Sequence, residues 1–175
     1  HEVLKLIDGY DPKRGNKISG HRGYFLKGWG AILNLALVNY GLHFLMKKDY
    51  TPMHTPFFMK KSVMAETCQL NDFDEQLYKV STGKNTDSDN IKDFYLIATS
   101  EQPISAYFQN EVINPEELPI RFGGYSTCFR KEAGAHGKDT WGIFRIHQFE
   151  KMKSTIIEKA TKLFLQLGFK SVTMN

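Results

Sequence analysis

Cysteine is scarce in this chain: Cys68 and Cys128 are its two thiols, with no CxxC spacing and no histidine at a metal-ligand interval. That argues against a disulfide-rich secreted scaffold or a zinc ribbon and fits two reduced thiols in a cytoplasmic protein. No stretch approaches the ~18 uninterrupted apolar residues of a membrane helix, and no signal-peptide pattern opens the chain. Net charge is absent over most of the length, since residues 1–150 hold 18 Lys+Arg against 18 Asp+Glu. The formal +4 arises in 151–175, where five lysines accompany Glu158. Such a balance reads as a solvated helix face rather than a nucleic-acid footprint. There is no P-loop, no internal repeat, and no low-complexity block beyond the polar stretch 81–92. What is present is an ordinary globular composition, 41% apolar and 24% charged over 175 residues, enough for one core.

Hydropathy patterning divides the chain into short elements. Val3 to Ile7 is an apolar run that predicts a strand, followed by a Gly/Lys/Asn segment up to Gly28. From Trp29 apolar residues recur at 29, 32, 33, 36, 37, 40 and 44, which predicts a helix over 29–45 with little polar character on its far side. Such a helix is packed on two sides, by the core and by a partner subunit. Residues 50–58 predict a strand, and Pro52 and Pro56 confine it to an edge or an interface. A short helix over 63–70, a strand near 78–80, a polar loop over 81–92, a strand over 94–99 and a helix over 102–111 follow. After the Asn114–Glu117 turn, strands over 119–130 and 142–150 flank a polar loop at 131–141. Thr155 to Glu158 fits a capping box for a helix ending at Gly168, and 169–174 reads as a last strand. The fold class is α+β with a largely antiparallel sheet flanked by helices.

The chemistry concentrates in 127–150. Arg130 and Glu132 leave one strand, and Arg145, His147 and Phe149 share a face of the returning one. A guanidinium presents a planar fork suited to phosphate, so Arg130 can take an α-phosphate, Arg145 the triphosphate tail, and Phe149 the face of a base. As bare pattern, the same residues also make a solvated surface ion pair of little energetic weight. Thr99-Ser100-Glu101 ends an apolar strand just before a helix. That is either a helix cap or a pocket for an ammonium group, and local chemistry fits both.

FRKE answered by RIHQF resembles the second signature motif of the class II aminoacyl-tRNA synthetases. Leu-Ile-Ala-Thr99-Ser100-Glu101-Gln102-Pro103 resembles their TxE element, and helix 29–45 with strand 50–58 resembles the first motif, whose proline-ending strand builds a dimer interface. Within the class, FMKKSVM, FDEQLYKV, IATSEQP and the 126–152 string look like seryl-tRNA synthetase of the eukaryotic cytoplasmic type, densely over about 1–152. The resemblance implies serine activation by ATP to seryl-adenylate and transfer to tRNA(Ser), in a cytoplasmic homodimer with no membrane association. It implies Arg130 as the catalytic residue, contacting the α-phosphate and the serine carboxylate, with Thr99 and Glu101 beside the serine. Glu132 would bind the adenine side, Arg145 the γ-phosphate, and Ile146, His147, Gln148 and Phe149 would line the adenine pocket. Magnesium would bridge the phosphates, and no protein residue is implied as a metal ligand.

The chain departs from that family pattern in three places. Lys153 stands where the family has a glutamate that contacts the serine, and a stretch between Met152 and Lys153 is expected to be missing. No arginine follows Arg145 to supply the third motif, and nothing resembles the helical arm that grips tRNA. Residues 1–175 are therefore expected to be a partial catalytic domain with motifs 1 and 2, inactive by itself. The alternative readings are a non-catalytic synthetase-derived module for dimerisation and ATP binding, and another class II ligase.

Overall fold

In the computed structural model, which describes residues 1–68, 75–80, 93–132 and 143–157 (155–157 by backbone alone), the N-terminal apolar run is a helix, not the expected strand. This α1, Glu2–Leu6, satisfies its backbone locally, for example from the Lys5 N–H to the His1 carbonyl at 3.1 Å. Val3 and Leu6 stay exposed, so no sheet face rewards an extended conformation there. β1 (Tyr10–Asp11) pairs antiparallel with β2 (Phe25–Leu26). Between them α2, Pro12–Ser19, occupies a segment whose composition gave no helical signal beyond its start. There the Asp11 carboxylate accepts the Arg14 N–H, and Pro12 stands where its missing N–H costs nothing.

The helix predicted from periodicity is present as α3, Trp29–Met46. Its half-buried stripe of Ala31, Asn34, Val38, Gly41, Leu42 and Leu45 lies along a sheet. Gly41 is where Met152 crosses it: an added Cβ would stand 2.7 Å from the methionine sulfur. The opposite stripe, with Ile32, Leu33, Leu35, Leu37, Tyr40 and Phe44, is exposed. By length and composition α3 is apolar enough to cross a membrane, with mean hydropathy 1.3, although Asn34, Asn39 and His43 interrupt it.

The strand expected over 50–58 is two strands in two sheets, β3 (Thr51–His54) and β4 (Phe58–Lys60). β3 forms the edge of one sheet, in the position Pro52 requires, and runs parallel to β7 (Ile120–Phe129). β7 pairs antiparallel with β8 (Gln148–Ile157), from Ile120↔Ile157 to Phe129↔Gln148. In the other sheet β6 (Phe94–Leu96) lies between β4 and β5 (Lys79–Val80), antiparallel to both. Helices α4 (Lys61–Thr67) and α5 (Glu101–Ser105) pack on each other. The α+β class with mostly antiparallel pairing stands.

Three boundaries differ from expectation. The helix expected over 102–111 ends at Ser105 and continues as turns, with the Gln109 N–H bonded three residues back to Ala106 and Asn110 at φ 63. Residues 143–147 are turn and bend, so the return strand starts at Gln148. It then runs unbroken through Met152 and Lys153 and absorbs Thr155–Ile157, which were expected to open a helix. Thr-Ile-Ile is β-branched throughout, and the paired edge of β7 outweighs a capping box there. The rest of that helix, the strand at 169–174 and the loop 81–92 lie outside the described residues.

The core is the cluster of Met59, Met64, Leu77, Tyr95, Ile97 and Cys128, with Phe149 packed at its rim. It joins the second sheet to the end of β7, and so fixes where β7 releases its last residues.

Candidate active site

Strand alternation sorts β7 and β8 into two faces. The pairs Cys128↔Phe149, Ser126↔Lys151 and Gly124↔Lys153 face the core and α5, while Thr127↔Glu150 and Tyr125↔Met152 face α3. On the α3 side the Asn34 amide donates to the Glu150 carboxylate at 2.5 Å.

Arg130 leaves β7 braced on three sides. Its N–H donates to the His147 carbonyl at 2.9 Å and its Nε–H to the Ala98 carbonyl at 3.1 Å. Its guanidinium lies 5.1 Å over the Phe149 ring, within cation–π range. His147 in turn sets its Nδ1 3.0 Å from the Arg130 carbonyl. Two residues on, Glu132 adopts φ 51, and its carboxylate meets Arg145 at 3.3 Å while its carbonyl accepts from Arg22 at 3.2 Å. The two arginines and the glutamate expected from the hairpin are thus together at one end of the sheet. Arg22 belongs with them and was missed, because nothing local distinguishes it from a surface arginine.

Thr99 and Glu101 lie next to Arg130, at the end of the run that begins as β6. The Thr99 hydroxyl donates to the Glu101 carboxylate. Lys151 donates to Thr99 Oγ1 at 2.8 Å and sits 3.4 Å from Glu101 Oε2, and Lys153 reaches Oε1 at 3.6 Å. Burial pushes the Glu101 carboxyl up. Bonds from the Thr99 hydroxyl and its own amide, with the charge of Lys151, outweigh that and hold it below its ordinary range. Ser100 is fully buried and its side chain caps no helix amide, so the cap reading of this segment fails. Lys151 was also missed, although its spacing of two from Phe149 on one strand could have found it.

Arg130, Arg145, Lys151 and Lys153 outnumber Glu101 and Glu132, so the site attracts polyanions. Cys128 lies beneath it, fully buried, and burial raises its thiol to about 11. It is a neutral packing group at physiological pH and no nucleophile. His147 and Gln148 line a cleft of about 600 Å3 on the α3 side, which Phe149 and Arg22 also border, with Tyr24 and Asn34. Arg22 is the cation that borders this hollow, whereas Arg130, Arg145, Lys151 and Lys153 are not among its lining residues. Ile146 is half-buried beside a second hollow on the same side, with Val38 and Met152.

The model of the class II tRNA synthetase core domain (G, H, P, S and T) matches residues 78–167, which include both halves of this site. The chain belongs to that family. Among class II synthetases it is 57% identical over 162 residues to the cytoplasmic serine–tRNA ligase of Dictyostelium discoideum, covering 93% of this chain and 34% of the relative. The cytoplasmic serine–tRNA ligase of Saccharomyces cerevisiae is 54% identical over 164 residues, with coverage of 93% and 34%. The crystal structure of the cytoplasmic serine–tRNA ligase of Naegleria fowleri in complex with AMP superposes with TM-score 0.82 at 46% identity, over 95% of this chain and 38% of that one. Seryl-tRNA synthetase of Pyrococcus horikoshii complexed with ATP superposes with TM-score 0.79 at 38% identity, over 89% and 33%. The chain spans about a third of the length of the curated relatives it matches.

Proposed function

We propose that this chain is part of a serine–tRNA ligase and carries its motifs 1 and 2, including one half of the ATP site. The observation that carries the reading is Arg130, braced between Ala98 and Phe149 beside the Thr99–Glu101 pair, in a chain whose structural relatives were solved with AMP and ATP. Phe149 would stack on adenine and Glu132 would meet its polar edge. Arg145, 43% exposed, would turn from Glu132 to the γ-phosphate, and the largely buried Glu132 carboxylate would then take its hydrogen bonds from adenine instead. Ile146, His147 and Gln148 would line the adenine side next to Phe149, with the His147 ring held against the Arg130 carbonyl.

Arg130 would hold the α-phosphate and the serine carboxylate together. A carboxylate oxygen of serine attacks the α-phosphorus, the bond from that phosphorus to the bridging oxygen breaks, and pyrophosphate leaves. A terminal ribose hydroxyl of tRNA(Ser) then attacks the seryl carbonyl and AMP departs. Catalysis rests on positioning and on charge fixed where it develops, without a protein nucleophile. Magnesium, when bound with ATP, would supply charge neutralisation at the phosphates, beside Arg130 and Arg145. The reaction belongs to the whole protein, acting in the cytoplasm as its relatives' names state. The exposed stripe of α3 and the edge strand β3 would pair with a second copy rather than enter a membrane.

The test is serine-dependent ATP–pyrophosphate exchange by the full-length gene product. Arg130→Ala is expected to lower it by about 100-fold or more while circular dichroism stays unchanged. Undiminished exchange in that variant, or none in the parent protein, refutes the reading.

A further inference from the structure

We propose that Lys153 is an affinity-tuning residue, an internal cation that competes with the substrate's ammonium group for Glu101. The inference rests on the reading of Thr99 and Glu101 as the amino-acid pocket. Two lysines on one face of β8 reach a single carboxylate, and they are not equivalent. Lys151 touches both Thr99 Oγ1, at 2.8 Å, and Glu101 Oε2, at 3.4 Å, with 29% of its side chain exposed. It ties two pocket groups into one geometry and acts as a positioning residue. Lys153 touches Oε1 alone, at 3.6 Å, and is 53% exposed.

Thr99 and Lys151 both engage Oε2, so Oε1 is the oxygen on which an incoming ammonium would dock. Lys153 already stands there. Glu101 with its two lysines carries a net positive charge, so a third ammonium meets repulsion unless Lys153 withdraws. The Lys153 contact is long and solvent-reaching, the kind that is worth little and breaks readily. It therefore lowers amino-acid affinity by competition without closing the pocket. Nothing in this competition touches Phe149 or Arg145, so nucleotide binding is expected to be independent of it.

Isothermal titration of the full-length gene product with serine and, separately, with ATP tests this. Lys153→Met keeps the length of the side chain and removes its charge. It is expected to tighten serine binding at least about tenfold, a gain of about 1.4 kcal/mol, with ATP affinity unchanged. Lys153→Arg is expected to bind serine as the parent does. Adding Lys151→Met to Lys153→Met is expected to abolish the gain, because Glu101 and Thr99 lose their common brace. Serine affinity that is equal or weaker in Lys153→Met, or undetectable in every variant, overturns the proposal. A tenfold serine gain with no ATP binding anywhere would support the role of Lys153 and count against the nucleotide reading instead.

Discussion

On one face of the β7–β8 pair, Phe149, Lys151 and Lys153 meet the buried core, Arg130 and the Thr99–Glu101 pair. On the other, Glu150 and Met152 meet α3, whose far stripe from Ile32 to Phe44 stays exposed. The same alternation builds both faces. The first satisfies its charges inside the chain, through ion pairs that a ligand can exchange for its own groups. The second leaves an apolar demand that nothing described in the chain meets, and apolar surface of that extent is ordinarily covered by a partner. On the proposed reading a ligand would act on one face and a second copy on the other, with a single pair of strands between them.

The largest effect that separates the faces is expected from Ile97→Ala. Ile97 is fully buried under the charged face, and its truncation should cost about 2–5 kcal/mol, read as a shift of the urea midpoint. A cost below about 1 kcal/mol, typical of exposed positions, would mean that the charged face does not rest on a packed core. Next comes Phe44→Asp on the outer stripe of α3, where Phe44 is 51% exposed. Light scattering should find the parent dimeric at micromolar concentration and the variant weakened by about 100-fold, or about 2.7 kcal/mol, with ATP affinity retained. A monomeric parent would remove the partner from the comparison.

The smallest effect concerns Glu101. Its folded-state carboxyl lies below the ordinary 4.5, so the ionised form stabilises the fold above that value. The contribution is lost as pH falls through the lower folded value. Relative to Glu101→Gln, the parent should lose stability between pH 7 and pH 3, by less than about 1 kcal/mol because the lysine contacts are partly exposed. Urea midpoints at the two pH values measure it, and an opposite sign would show that burial outweighs the Thr99 and Lys151 bonds.

Much of this was legible in the residues. The 29–45 periodicity located α3, the prolines of 50–58 located an edge, and Arg130, Glu132, Arg145, Phe149, Thr99 and Glu101 could be picked out before any fold was known. Failures occurred where local signals were weak or opposed. Val3–Ile7 has no alternation to separate strand from helix, and it became a helix because it had no sheet to join. Thr155–Ile157 satisfied a capping pattern, but a ten-residue partner strand competed with it and prevailed. Arg22 and the cleft lined by His147 have no signature along the chain, whereas Lys151 stood two residues from Phe149 on one strand.

Local chemistry and spacing, which operate within a few residues, determined the class of fold, the hairpin and which arginines and glutamates it carries. Tertiary structure decided which lysine meets Glu101, which stripe of α3 is covered, and that Lys151 reaches Thr99 from 52 residues away. Those contacts depend on the register of β8 against β7. Because side chains alternate with a period of two, sliding that register by one residue would turn Lys151 and Lys153 toward α3 and leave Glu101 without either.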